Sequence, residues 1–67
     1  MERATITADT LELLHLNQMA MRAAIEELSA WIRQRGSINV HENVMMALQT
    51  LDTNADAIGL AIERLRD

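Results

Sequence analysis

The chain has 67 residues, a net charge of -4 and no Cys. A domain of this size hides only roughly 60% of the surface its unfolded chain exposes, and with neither disulfides nor thiolate-bound zinc the simplest added support is a second copy of itself. All six basic residues are Arg, and an acidic chain without clustered cations is a poor match for phosphate, so no nucleic-acid partner is expected.

Charge interrupts the apolar positions every few residues, so no membrane span is expected. Residues Met1 to Ile6 read as a short lead-in, without the basic start and apolar block of a signal peptide. Absence of Cys fits a reducing compartment, and the cytoplasm is the expected location.

Thr7 is a candidate N-cap, with Ile6 packing on Leu11 as a hydrophobic staple, and Asp9 with Glu12 three residues later is the rival start. Either predicts a first helix over about 8–35. It carries Leu11, Leu14, Gln18, Met21, Ile25, Leu28 and Ile32 at alternating spacings of three and four residues, one side of an α-helix with a polar defect at Gln18. Arg33 and Arg35 suit the negative end of the helix dipole, and Gly36 supplies the left-handed residue that often follows a helix.

Asn39 with Glu42 makes a capping-box pattern, predicting a second helix over about 40–66. Its stripe is Val44, Leu48, Leu51, Ala55, Ile58, Ile62 and Leu65. Two helices of near-equal length joined by a short bend predict an all-α fold: a single antiparallel hairpin domain over 1–67.

Placing the stripes at positions a and d of a heptad, with Leu11 and Leu48 both at a, leaves two unlike flanks. The g and c flank is mostly small or apolar and asks for another helical layer. The expectation is a two-fold dimer forming a four-helix bundle, with Leu13, Ala20, Ala24, Trp31, Val40, Ala47, Asn54, Ala57 and Ala61 at the interface. Trp31, the one aromatic residue, reads equally well as a plug at the bend of a single chain. The e and b flank, with Glu12, His15, Arg22, Glu26, Ser29, Asp52, Asp56 and Glu63, is expected to face water. Asn17, Gln18 and Asn54 interrupt the apolar surfaces at comparable heights; Asn17 reads as a rim residue and Asn54 as part of a hydrogen-bonded network.

Chemistry-bearing patterns are sparse. Glu12 and His15 have Glu-x-x-His spacing, with Glu63 expected near their height, formally the ligand pattern of a carboxylate-histidine metal bundle. They fall on the flank away from the small-residue seam, so a surface Glu-His pair is the preferred reading. Ser29 has no histidine nearby in sequence, His41 is expected far from His15, and there is no glycine-rich loop, Tyr or Lys. No enzymatic activity, metal or cofactor is expected.

The functional expectation is a homodimeric helical module that binds another protein: a regulator, an inhibitor or a chaperone-like adaptor. Candidate contacts are the acidic e and b flank, or the outward Leu16, Met46 and Leu60. Met19, Met21, Met45 and Met46 add adaptable apolar surface, with Met21 expected in the core. The alternative is a structural self-assembly unit with no separate partner.

Overall fold

The computed structural model describes residues 2–67. Of the lead-in expected over Met1 to Ile6, Met1 lies outside the described residues and Glu2 to Ile6 are part of the first helix. Helix α1 spans Glu2–Gln34 and helix α2 spans Ile38–Arg66; the two pack against each other as an antiparallel hairpin. No helix is long and apolar enough to cross a membrane among the described residues.

The bend is a Schellman turn. Gly36 adopts φ +98°, the Ser37 amide donates to the Ile32 carbonyl at 3.2 Å, and the Gly36 amide donates to the Arg33 carbonyl at 3.0 Å. Both bonds satisfy carbonyls that the end of α1 would otherwise leave bare. This delivers the chain directly into α2, whose first closing bond runs from the His41 amide to the Ser37 carbonyl at 3.2 Å. The second helix therefore starts at Ile38 rather than near position 40. Ser37, not Asn39, holds the cap position, and its side chain makes no capping hydrogen bond.

The first helix also begins earlier than its cap signals suggest. Thr7 and Thr10 donate their hydroxyls back to the carbonyls of Arg3 and Ile6, each at 2.9 Å, as helix-interior threonines do. Thr7 and Asp9 therefore do not cap, and Ile6 forms no staple but stands exposed within α1. The extra turns have a packing reason: Ala8 is completely buried and Ala4 half-buried, so they extend the seam along the end of α2.

The seam itself is shifted from the expected one. On α1 it follows Ala8, His15, Arg22 and Ser29, one residue per heptad, together with Ile32. These heptad residues occupy position e, on the flank expected in water. On α2 it uses His41, Val44, Met45, Leu48, Ala55, Ile58, Gly59 and Ile62, so positions a, d and e all contribute there. Small side chains explain the shift. Ala8 and Ser29 on α1 let the helices approach where Leu14, Met21 and Leu28 would hold them apart.

The hairpin is a thin rod, 52 × 16 × 10 Å by its Cα atoms, with a radius of gyration of 15.5 Å. A compact chain of this length would have about 11 Å. Its accessible surface is 5537 Å², against roughly 4,200 Å² for a compact monomer of the same mass. Among the described residues, Ala8, Leu48 and Ile62 are the buried apolar ones. One layer of two helices has nowhere to put the rest.

Candidate functional site: the interaction surfaces of the hairpin

The two sides of the rod differ in kind. On the e and b side, Arg22 bridges the helices: its Nε donates to Asp52 Oδ1 at 2.6 Å and its Nη2 to Asp52 Oδ2 at 2.9 Å. Its Nη1 donates to Glu26 Oε2 at 3.0 Å, four residues along α1. At the open end, Arg66 Nη2 donates to Asp9 Oδ1 at 2.8 Å and Glu12 Oε2 at 2.7 Å. The hydrogen bonds donated to these carboxylates, to Asp52 first for Arg22 and to Asp9 first for Arg66, raise both guanidinium pKa values above their ordinary range. Both arginines stay charged at any pH at which the chain would be handled.

Near the bend, Ser29 and His41 meet, correcting the expectation that Ser29 has no histidine at hand. Ser29 Oγ lies 2.9 Å from His41 Nδ1, and that nitrogen lies 3.2 Å from the Ser29 carbonyl oxygen. Ser29 is 1% exposed. Its hydroxyl is sealed between the helices, so the contact stitches α1 to α2 rather than presenting a nucleophile.

His15 lies inward on this side, not in a surface pair with Glu12. Its Nδ1 is buried without a hydrogen-bond partner, and Glu12 is engaged by Arg66. A groove of about 280 Å³ runs past His15, lined also by Gln18, Met19, Arg22, Leu51, Asp52, Ala55 and Asp56. A shallower neighbour joins His15 to Gly59, Leu60 and Glu63. Among the described residues no group of three or more His, Asp or Glu is placed to hold a metal ion. On the acidic flank proposed for partner contact, Glu12 and Asp52 are engaged across the hairpin and Glu26 along α1.

The opposite side, made by the d and g positions, has another character. From Thr7 to Trp31 on α1 and from Val40 to Leu65 on α2, these positions carry no charge. Leu14, Met21 and Leu28, read from the sequence as hairpin core, stand 56%, 57% and 63% exposed. Leu13, Ala20, Ala24, Trp31, Val40, Ala47, Asn54, Ala57 and Ala61 are all exposed as well. Trp31 does not plug the bend: it is 54% exposed, with the Arg35 guanidinium 4.4 Å from its ring centroid.

Sequence reasoning therefore missed Leu14, Met21 and Leu28 as surface residues. The available signal was the heptad run Ala8, His15, Arg22, Ser29, whose two small members mark the closer approach.

Leu16, Met46 and Leu60 are all more than half exposed. Met46 and Leu60 are separated by about 21 Å along α2 at the α-helical rise, so those two do not share a patch. The chain matches no protein-family model, no curated protein and no solved structure.

Proposed function

We propose that the chain is a homodimeric helical interaction module, two hairpins joined through their d and g faces into a four-helix bundle that presents its outer surfaces to another protein. The observation that carries this reading is the uncharged face along the rod, with Leu14, Met21, Leu28 and Trp31 each more than half exposed on it. Single exposed leucines are ordinary, but several large apolar side chains exposed together on one uncharged face of so small a chain support reading it as a contact surface.

The partner-facing part of the proposal rests on the outer residues Leu16, Met46 and Leu60, which lie away from that face. The alternative, a self-assembly unit, uses the same outer residues to join further dimers. Light scattering over a range of concentrations separates the two readings. Growth beyond the dimer favours assembly, whereas a fixed dimer favours a separate partner.

Trp31 tests the dimer. It is the sole aromatic residue, so its emission belongs to one known position on the face. Dilution is expected to shift that emission to the red as the indole passes from a subunit contact into water. Emission independent of concentration down to nanomolar chain, with sedimentation showing a monomer throughout, would remove the proposal.

A further inference from the structure

We infer that the uncharged face is covered by a second copy of this chain, with Asn17 and Asn54 of both copies meeting in one amide layer at the two-fold axis. This rests on the homodimer reading above and adds the register in which the copies meet.

Area is the first argument. The chain exposes about 1,300 Å² more than a compact monomer of its mass. If each copy hid that excess, the pair would bury a total within the roughly 2,000 to 5,000 Å² range of obligate dimers. Charge is the second. With a net charge of -4 per chain, two copies repel least where neither presents an ionised group, and the d and g positions between Thr7 and Trp31 and between Val40 and Leu65 are such a place.

The position of the amides is the third. The middles of α1 and α2 fall at Gln18 and Asp52, next to Asn17 and close to Asn54. The Arg22–Asp52 contact fixes the heights of the two helices, which places both amides within about one helical turn of each other. A two-fold axis through the middle of the face returns mid-height residues to mid-height, whichever way the second rod points. Polar residues near one end would meet apolar side chains in one of those orientations; these two meet only each other.

Each amide offers two donors and a carbonyl acceptor, so four of them satisfy one another reciprocally. The flanking d and g residues are Leu14, Met21, Ala47, Leu51 and Ile58. A slipped register would press an amide against these and leave it unpaired. Both amides thus belong to the layer, Asn17 included, although its sequence position suggested the rim. The layer selects one register and limits association to two copies, as a single polar position does in coiled coils.

The test places a carboxylate where each amide stands. Asn17→Asp and Asn54→Asp are near-isosteric, and Gln49→Glu, at an exposed b position on the other flank, is the control. Sedimentation equilibrium at pH 7 is expected to show the dimer dissociation constant rising about a hundred-fold or more for each layer variant and staying within about three-fold for the control. At pH 3 the new carboxyl is protonated, and each layer variant is expected to regain the dimerisation of the unmodified chain at that pH. Circular dichroism follows helix content in parallel.

Either layer variant dimerising within three-fold of the unmodified chain at pH 7 would overturn the layer, as would failure to regain the dimer at pH 3. An unmodified chain that is monomeric would instead sink the dimer reading itself.

Discussion

Arg22 and Asp52 lie on different helices and meet through two hydrogen bonds of 2.6 and 2.9 Å. Each side chain is partly open to water, 28% and 53% exposed. The contact therefore sets the height of α1 against α2 more than it adds to stability, because exposed ion pairs are weak and screened by salt. Asp52→Asn is expected to cost up to about 1 kcal/mol at low salt, with much of that difference vanishing near 1 M salt. Urea unfolding at two ionic strengths measures it. An undiminished loss at high salt would show that the pair does more than bridge two solvated charges.

Ser29 and His41 join the helices near the bend, where Ser29 is buried. Ser29→Ala removes the hydroxyl but keeps the close approach, and is expected to destabilise by about 1 kcal/mol. Ser29→Leu retains helix propensity but forces the helices apart, and is expected to cost about 1 to 3 kcal/mol. The ordering of their melting temperatures checks the shifted seam: a Leu variant as stable as the Ala variant would mean the seam does not pass through Ser29.

The two glycines differ in what they do. Gly59 lies inside α2, and a Cβ placed there meets nothing within 4 Å. Gly59→Ala is expected to stabilise by about 0.8 to 1 kcal/mol through helix propensity alone. Gly36 also has open space around it, but its φ of +98° is one that side-chain-bearing residues rarely adopt. Gly36→Ala is expected to destabilise by about 1 to 2 kcal/mol. Thermal unfolding of the two variants is expected to move in opposite directions, and a shift of the same sign in both would contradict the assignment.

The hairpin was legible in the sequence because two stripes of helical period, Leu11 to Ile32 and Val44 to Leu65, flank a single glycine stop. The boundaries were less so. Thr7, Asp9 and Asn39 carry strong capping signals, yet tertiary burial of Ala8 extended α1 past the first two. The tight Schellman turn let α2 start before Asn39.

The facing of α1 was the larger miss. A rule that assigns bulky apolar residues to the core put Leu14, Met21 and Leu28 inside. In a lone hairpin the closest approach instead follows Ala8 and Ser29, and the long ion-pairing side chains of Arg22 and Arg66 reach across beside it. Hydrophobicity alone does not say which of two partners a residue meets. A stripe wide enough for a four-helix bundle has residues left over when only two helices are present.

That surplus gives the proposed dimer a specific vulnerability. Met21→Glu with Leu28→Glu places charges on the uncharged face without touching the seam, both residues being exposed in the hairpin. The double variant is expected to be monomeric and to lose much of its helix content, since two helices with so small a core are marginal. Leu16→Glu with Leu60→Glu, on the outer surfaces, is expected to leave association unchanged. Size-exclusion chromatography with light scattering compares them, and equal effects from the two pairs would mean the face has been misplaced.

The most direct measurement is sedimentation equilibrium of the unmodified chain from micromolar to millimolar concentration. The expected result is a species of twice the 7.5 kDa chain mass, dissociating only on strong dilution and losing helical order as it does so. A monomer that stays fully helical across the whole range would show that the hairpin needs no second layer, and that its uncharged face does not hold two copies together.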